Sequence, residues 1–384
     1  MSFTVDEVRY LADSRDEIRA AGAGLALDGG SAFEAHAKLR TQFGPFARAV
    51  AELISAQRSA DGKFPPHWLA DSDAVQQATP YRVADIRVER LSRVGVEVVH
   101  DVTCSVGSEA QAADAVGLEW IGSDLDRARL LMARFNLGPG ARLAQADALA
   151  PAITFGSRRG AVVADPARRA GGRRITDPAR LSPPLPALLD AHRGTEMAIK
   201  CAPGIDYSEW EGLVSVVSLR GGVKEACLYS PGLSEGLTRE AVVLHAEGEE
   251  RVTSRDDGSV EVSPPGSFII DPDGAVIRAG LVRQWGHRHG LSMLDDHIAY
   301  LTGEKIPPGY SGFPFIEAVP LKRLRAALAG LGAGALEILV RGVGVDPDDM
   351  RKKLKTKGDR PMAVVIARVG ERAVAHICGA RVWG

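Results

Sequence analysis

Short apolar segments, several of which end in an aspartate, alternate with helix-like segments through the middle of the chain, and this alternation constrains the fold most. Four of them are rich in β-branched or other apolar residues, as buried strands are. They span residues 96–101, 120–124, 160–165 and 196–200. Because helix-like segments such as 126–136 separate them, the pattern predicts an α/β fold with a parallel sheet covered on both faces.

The regions before and after this alternating segment have different hydrophobic periodicities. Before residue 81 apolar residues recur every three or four positions, as on one face of a helix, whereas glycine turns separate alternating strands beyond residue 212. The 384 residues also exceed the size at which a single core usually stops growing, about 250 to 300 residues. We therefore predict a helical domain (1–80), a sheet domain (81–250) and an α+β domain (251–384).

Composition restricts the partners of the chain. A formal net charge of −2 means that any nucleic-acid site has to be local. The four cysteines lack the C-x-x-C spacing of zinc and redox sites, and we predict no metal. The first residues do not resemble a secretory signal, and no run reaches the roughly 18 apolar residues of a membrane span. We expect a cytoplasmic protein with no membrane partner.

An aspartate ends or follows each of four successive predicted strands, at Asp101, Asp124, Asp147 and Asp165. Ligands of open α/β sheets bind beyond the carboxyl ends of the strands, where a carboxylate about 20 residues after the first loop can bind the hydroxyls of a ribose. Asp124 has that spacing. Two alternatives remain open. Each aspartate could simply cap the next helix, and a nicotinamide-binding sheet shares the first two acids but does not predict Asp165 followed by Pro166.

Two motifs and the end of the chain resemble a known family. Residues 101–109 (DVTCSVGSE) resemble motif I of class I S-adenosylmethionine-dependent methyltransferases, in the D-x-x-C-G-x-G-G form of the trimethylguanosine synthase group and related RNA methylases. Residues 165–168 (DPAR) resemble their D-P-P-x motif IV, and residues 336–358 resemble the THUMP-like domain that accompanies such methylases in bacteria. The resemblance implies a Rossmann-like methyltransferase sheet with a helical N-terminal domain and an α+β C-terminal, THUMP-like domain.

The resemblance also implies roles for individual residues. S-adenosylmethionine would bind along the loop that follows Asp101, with Asp124 at its ribose and Asp147 near its adenine. The residues thus assigned to the cofactor are Asp101, Thr103, Cys104, Ser105, Gly107, Asp124, Leu125, Ala146 and Asp147. Those assigned as catalytic, on the side of the methyl acceptor, are Asp165, Pro166 and Arg168.

The sequence departs from the family pattern at several of these positions. Ser105 and Ser108 stand where glycine is usual, and Ala167 and Arg168 stand where a second proline and a base-stacking aromatic residue are usual. The alternative function is therefore an RNA-binding protein with a degenerate, non-catalytic methyltransferase fold. Cys201 has the position of the nucleophile in pyrimidine carbon methylases, but a buried, inert cysteine is the other interpretation, and we leave it out of the catalytic set.

Two basic segments predict an RNA partner, either tRNA or rRNA. The first follows motif IV, and the second is a predicted helix over residues 347–357, which carries more positive charge than its dipole requires. The residues that we expect to contact phosphates are Arg169, Arg173, Arg351, Lys352, Lys353 and Lys355. For both segments a solvated surface with no ligand is the alternative.

Overall fold

The computed structural model describes residues 3–25, 32–60, 62–167, 169–170, 173–174, 177–246 and 248–384. The chain divides into two compact units. The first comprises Met1–Val214 and Lys224–Gly236, and the second comprises Ser215–Val223 and Leu237–Gly384. Among the described residues, no helix has the length and apolar character needed to cross a membrane.

Six helices form the N-terminal part of the first unit. They are α1 (Val5–Asp13), α2 (Arg15–Gly22), α3 (Ala32–Phe43), α4 (Ala47–Ser59), α5 (Ser72–Gln77) and α6 (Tyr81–Arg93). Local sequence explains where two of them begin. Thr4 and Glu7 form a capping box at α1, and the Asp71 carboxylate accepts the Ala74 amide at α5. The predicted helical character of this region is confirmed.

Strands and helices then alternate as the sequence predicts. The elements are β1 (Val98–Asp101), α7 (Ser108–Ala115), β2 (Glu119–Asp124), α8 (Arg127–Leu137), β3 (Arg142–Gln145), β4 (Gly160–Ala164), β5 (Arg169–Ala170), β6 (Arg173–Arg174), α9 (Leu185–Ala191), β7 (Glu196–Cys201), β8 (Leu213–Leu219) and β9 (Gly222–Tyr229). The strand order within the first unit is β9-β7-β4-β1-β2-β3. All neighbours are parallel except β9, which is antiparallel to β7.

Register places the ends of the central strands at one edge of this sheet. Asp101, the last residue of β1, is paired with Gly122 on one side and Val163 on the other. Asp124, Asp165 and the loop after β1 therefore lie at the same edge, where ligands of parallel sheets bind. The predicted α/β class with a Rossmann-like sheet is confirmed.

The second unit contains a larger share of antiparallel strands. Its further elements are β10 (Arg239–Leu244), β11 (Glu249–Thr253), β12 (Phe268–Ile270), α10 (Gly274–Ala279), α11 (Val282–Arg288), β13 (Ser292–Asp295), β14 (Ile298–Gly303), β15 (Ser311–Pro320), α12 (Leu324–Gly330), β16 (Ala333–Arg341), α13 (Pro347–Leu354), β17 (Arg360–Val369), β18 (Arg372–Gly379) and β19 (Val382–Trp383). Strand β17 shows why both sheet faces are buried. Met362 and Val364 pack with Leu354 in one core, whereas Ala363 and Val365 belong to another.

Glu250 connects several segments of the second unit. Its carboxylate accepts hydrogen bonds from the Tyr310 hydroxyl and from Trp285 Nε1 at 3.3 Å, and it lies 2.9 Å from His289 Nε2. Burial alone raises the pKa of Glu250, but the hydrogen bonds from His289 and Tyr310 outweigh this and hold the pKa at about 2. Tyr310 is buried, so it anchors its loop to the core and is not a base-stacking surface.

The basic helix near the C-terminus is shorter than predicted. Asp346 accepts the amides of Asp348 and Asp349, and Pro347 occupies the first turn, as the sequence suggests. The helix ends at Leu354, however, because Lys355 adopts a left-handed conformation with φ of 47°. The prediction that the helix continues to residue 357 is wrong, and Lys355 lies just beyond its last turn.

Candidate active site

The loop between β1 and α7 depends on two left-handed residues, Ser105 (φ 50°) and Gly107 (φ 87°). A Cβ atom at Gly107 would lie 2.8 Å from the Leu137 side chain, so both the φ angle and the space require glycine. Ser105 accepts the left-handed conformation at a cost of about 1 to 2 kcal/mol. Its side chain offsets part of this cost, because Ser105 Oγ accepts a 2.8 Å hydrogen bond from Arg129 Nη1.

Asp124 holds this loop against the end of β2. One carboxylate oxygen accepts the Ser105 amide and the other accepts the Asp126 amide, both at 2.9 Å. Burial raises the pKa of Asp124 above its ordinary value, and the two backbone hydrogen bonds oppose that rise. Leu125 follows directly with 68% of its surface exposed, which places an unusual apolar group beside the carboxylate.

Asp101 and Asp147 also accept backbone amides from the residues that follow them. The Asp101 carboxylate accepts the Thr103 amide at 3.1 Å, and the Asp147 carboxylate accepts the Leu149 amide at 2.9 Å. The amide of Ala146 donates to the Asp124 carbonyl at 3.2 Å. These acids therefore stabilise the turns after their strands and do not cap the next helix, because Gly107 is the N-cap of α7 and Asp126 is the N-cap of α8. Further acceptor sites remain on each carboxylate.

Asp165 differs, because its carboxylate contacts a buried lysine. Asp165 Oδ2 lies 2.8 Å from Lys200 Nζ, which lies 3.1 Å from Glu109 Oε1. Behind them, Arg87 lies 3.5 Å from Glu109 and 2.9 Å from Glu225. Burial alone lowers the pKa of Lys200, but the carboxylates of Asp165 and Glu109 raise it above its ordinary value. We call these five residues the buried ionic cluster.

Residues of the loop, two of the strand-end acids and two further members of the buried ionic cluster line one cavity. The amide of Asp165 donates to Thr103 Oγ1 at 2.7 Å and so ties β4 to the loop. The cavity is lined, among others, by Asp101, Thr103, Ser105, Glu109, Asp165 and Lys200. Burial and the neighbouring Glu109 raise the pKa of Asp101 to about 7. The structure thus brings Asp165 of motif IV together with the motif I residues Asp101, Thr103, Cys104 and Ser105. The other predicted residues that the structure describes near the strand ends, Gly107, Asp124, Leu125, Ala146, Asp147 and Pro166, are not among the residues that line this cavity.

The N-terminal helical part contacts this loop through residues that the sequence analysis missed. Asn136 on α8 donates to the carbonyls of Leu69 at 3.0 Å and Val106 at 3.1 Å. Arg129, which binds Ser105, also lies 3.7 Å from the fully buried Asp71. Loop position therefore depends on the N-terminal helices, which belong to the same compact unit.

The cysteines provide no accessible thiol near the site. Cys201 is completely buried, and Cys104 and Cys227 are at most 3% exposed. Burial raises the pKa of Cys104 well above its ordinary value, which disfavours the thiolate. Because successive residues of a strand point to opposite faces, Cys201 points away from the side that Lys200 occupies. The interpretation of Cys201 as a buried, inert cysteine agrees with these observations.

The chain after Asp165 pairs with a segment further along the sequence. Pro166 is buried, and the amide of Ala167 donates to the Ser182 carbonyl at 2.7 Å. Arg168 lies outside the described residues. The backbones of Arg169 and Arg173 belong to β5 and β6, which pair as a short antiparallel hairpin, but their side chains also lie outside the described part of the chain.

In the second unit, the basic residues of α13 are exposed but partly neutralised. Arg351 forms an ion pair with Asp348, and Lys352 lies 3.7 Å from Asp349. Lys353, Lys355 and Lys357 are exposed, and among the described residues none of them has an ion-pair partner. The unneutralised charge therefore lies at the C-terminal end of the helix and just beyond it.

The chain is similar to known proteins along most of its length. A family model described as "THUMP domain-like" matches residues 311–380. Two proteins of Mycobacterium tuberculosis, strains CDC 1551 and H37Rv, are each 44% identical over 358 residues, 88% of this chain and 98% of theirs. Both are named uncharacterized S-adenosylmethionine-dependent methyltransferases. A crystal structure from Porphyromonas gingivalis W83, with a provisional methyltransferase assignment, shares the fold at 17% identity, with a TM-score of 0.69 over 98% of this chain and 99% of that one.

Proposed function

The chain belongs to the family of S-adenosylmethionine-dependent methyltransferases, and on that basis we propose that it methylates a base in a structured RNA, either tRNA or rRNA. The match of residues 311–380 to a THUMP-like domain carries the RNA part of the proposal, because such domains accompany RNA methylases. The cofactor is S-adenosylmethionine. We assign its binding and the chemistry to the first unit and RNA binding to the second.

The residues around the loop fit a cationic, ribose-containing cofactor. Asp101 lines the cavity, and its ionised carboxylate suits the positive charges of S-adenosylmethionine. Each oxygen of Asp124 accepts one backbone amide and keeps a second acceptor position for a ribose hydroxyl. The exposed Leu125 supplies apolar surface suited to an adenine, with Asp147 on the next strand end. We assign the backbone of the loop to the rest of the cofactor, through Thr103, Cys104, Ser105 and Gly107, with Ala146 beside the adenine.

On the acceptor side, the chain contributes positioning and electrostatics. The bound cofactor supplies an electrophilic methyl group. We propose that Asp165 accepts a hydrogen bond from the acceptor nitrogen and that the Pro166 carbonyl supplies a second acceptor. Together these two oxygens would orient the lone pair of the acceptor nitrogen, and the proton that this nitrogen loses would pass to water. Arg168 keeps its catalytic assignment from the family resemblance alone.

Exposed cations support the RNA assignment. Lys353, Lys355 and Lys357 present positive charge without acidic partners among the described residues, in or just after α13. Neutralisation of phosphates by such residues releases counterions, which favours binding to RNA at low salt. We assign Arg351 and Lys352 to the same surface, although their acidic partners reduce their contribution, and we assign Arg169 and Arg173 to RNA near the acceptor.

Two measurements test the proposed function. Isothermal titration calorimetry of the full chain with S-adenosylmethionine tests the cofactor, and transfer of a radioactive methyl group from it to total RNA from a strain that lacks the gene tests the substrate. Mass spectrometry of the digested RNA then identifies the modified nucleoside. We expect cofactor binding and incorporation of label into tRNA or rRNA.

The possible outcomes separate the rival functions. RNA binding without cofactor binding at high micromolar ligand would favour the degenerate, RNA-binding protein. Cofactor binding with label incorporated only into protein or small molecules would contradict the RNA substrate. Preferential binding of a nicotinamide dinucleotide would refute both the RNA methyltransferase and the degenerate RNA-binding protein.

A further inference from the structure

Lys200 is the cation through which the buried ionic cluster reaches the cavity. Its side chain is only 4% exposed, whereas that of Asp165 is 21% exposed and is the most accessible in the cluster. A buried lysine is normally retained only when it is paired, because desolvation of an ammonium costs several kcal/mol. Here the ammonium lies between Asp165 and Glu109, within hydrogen-bonding distance of both.

The other members of the cluster fix this ammonium in place. Glu109 lies at the start of α7 and contacts both Lys200 and Arg87. Arg87 on α6 is fixed in turn by Glu225 on β9, which also accepts a hydrogen bond from Thr79 at 3.2 Å. Elements from four separate parts of the chain therefore fix the Lys200 side chain, and its charge is directed at the carboxylate on the acceptor side.

Three carboxyl groups share this small region, which makes the cation important. Asp101, Glu109 and Asp165 all line the cavity, and burial together with the charges of Glu109 and Asp165 raises the pKa of Asp101. Glu109 has a second cationic neighbour in Arg87, and the Lys200 ammonium lies 2.8 Å from Asp165 Oδ2. An ionised carboxylate accepts a hydrogen bond from a substrate more strongly than a protonated one does, and it has to keep one orientation in this role.

We propose that Lys200 is a positioning residue for methyl transfer, which acts by holding the Asp165 carboxylate ionised and oriented towards the methyl acceptor. This proposal rests on the proposed function. Lys200 does not need to touch the acceptor or the cofactor in this role. Its contribution should therefore disappear when Asp165 no longer carries a carboxylate, which distinguishes positioning from a general contribution to the fold.

The test compares Lys200→Met, Lys200→Arg and Asp165→Asn, together with both double variants, in the full chain. Label transfer from S-adenosylmethionine to RNA of the deletion strain gives kcat and KM, and calorimetry gives the cofactor Kd. We expect Lys200→Met to lower kcat by about 100-fold, the scale of losing one preorganised electrostatic group, with a much smaller change in the KM for RNA. Lys200→Arg keeps the charge and should restore most of that rate.

Arg90→Met is the matched control. Arg90 is a buried cation of the same unit that lies 2.6 Å from the partly exposed Glu235, and its removal breaks an ion pair whose carboxylate is outside the buried ionic cluster. We expect this variant to lose thermal stability but to keep its kcat per folded molecule. If Arg90→Met lowers kcat as much as Lys200→Met does, the role of Lys200 is structural and the proposal is wrong.

The double variants decide the mechanism. Asp165→Asn combined with Lys200→Met should be no slower than Asp165→Asn alone, and independent, multiplying losses would overturn the proposal. If Lys200→Met does not fold, the same cycle with Lys200→Gln, which removes the charge but keeps a polar side chain, gives the answer. Full activity of Lys200→Met refutes the positioning role of Lys200 but does not affect the proposed RNA methyltransferase function. A wild-type chain that labels no RNA refutes both proposals.

Discussion

At the scale of single residues, each strand-end aspartate can both stabilise the local backbone and bind a ligand. Asp101, Asp124 and Asp147 each accept a backbone amide from the residues that follow, so they stabilise their turns, although the helix-capping alternative is wrong for them. An ionised carboxylate accepts about four hydrogen bonds, and one or two amides do not saturate it. Local structure and ligand binding therefore do not compete for these residues.

Asp124→Ala is expected to raise the Kd for S-adenosylmethionine by at least about 100-fold. Two hydrogen bonds from ribose hydroxyls to a carboxylate contribute about 3 kcal/mol together, and the loop loses its contact with the Ser105 amide. Calorimetry measures the change. Asp126→Ala is the matched control, because Asp126 caps α8 through the Ala128 amide at 2.8 Å. Asp126→Ala should lower the free energy of unfolding by about 1 kcal/mol and leave the Kd nearly unchanged. An unchanged Kd in Asp124→Ala would contradict the ribose assignment.

Asp101 makes cofactor affinity depend on pH. Burial and the proximity of Glu109 raise its pKa to about 7, so the carboxyl is largely protonated at pH 6 in the free protein. A cationic cofactor favours the ionised form, and binding therefore releases a proton. We expect the affinity to fall by up to about tenfold per pH unit below 7. Calorimetry at pH 6 and pH 8, in buffers of different ionisation enthalpy, measures both effects, and Asp101→Asn should abolish the proton release.

The same group affects stability with the opposite sign. The folded-state pKa of Asp101 is raised from 3.8 to about 7, so the folded protein binds this proton more tightly than the unfolded chain does. Its contribution to stability is full below pH 3.8 and is lost as the pH rises through about 7. Cofactor binding should consequently stabilise the protein more at pH 8 than at pH 6.

At the scale of elements, the sequence predicts regular strands and helices well and long-range charge contacts poorly. Periodicity and glycine turns place β1, β2, β4 and the helices between them, because these signals are local. The partners of Arg87, Glu109 and Lys200 come from segments far apart in the chain, and no local pattern reveals them. A weak signal did exist, since Lys200 directly follows the apolar residues Met197, Ala198 and Ile199 of its strand and a buried charge implies a partner.

The end of α13 shows a different limit. Gly358 suggested a helix that continues to residue 357, but Lys355 takes the left-handed cap position three residues earlier. Thr356 then donates its hydroxyl hydrogen to the Gly334 carbonyl at 2.6 Å and fixes the chain after the cap. A tertiary contact therefore sets the end of this helix, and periodicity alone does not predict it.

Charge reversal at Lys353 and Lys355 is expected to weaken RNA binding. The two lysines lie at the end of α13 without acidic partners among the described residues, so each should neutralise about one phosphate. The slope of log Kd against log salt should fall by about two in Lys353→Glu/Lys355→Glu. Arg9→Glu/Arg19→Glu on the N-terminal helices changes the net charge equally and is the control. Equal effects of the two pairs would leave α13 as an ordinary solvated helix.

At the scale of the whole molecule, the chain passes between the two units more than once. Ser215–Val223 belongs to the second unit, the chain returns to the first in Lys224–Gly236, and it then enters the second again. The predicted boundary between residues 250 and 251 lies inside β11. Hydrophobic periodicity predicts the strands of this region but not the unit to which each belongs, because unit membership depends on contacts distant in sequence.

A fragment that starts at residue 251 should therefore not fold as a stable unit. It lacks β10, which pairs with β11 along five residue pairs, and it lacks the Glu250 carboxylate that Tyr310, Trp285 and His289 contact. It also lacks Ser215–Val223. A buried tyrosine and tryptophan without their acceptor cost about 1 to 3 kcal/mol each, a large part of the stability of a small domain. Urea unfolding followed by circular dichroism should show no cooperative transition for residues 251–384, whereas the fragment 215–384, which keeps every segment of the second unit, should unfold cooperatively. Equal cooperativity of the two fragments would mean that the segments before residue 251 do not stabilise this unit.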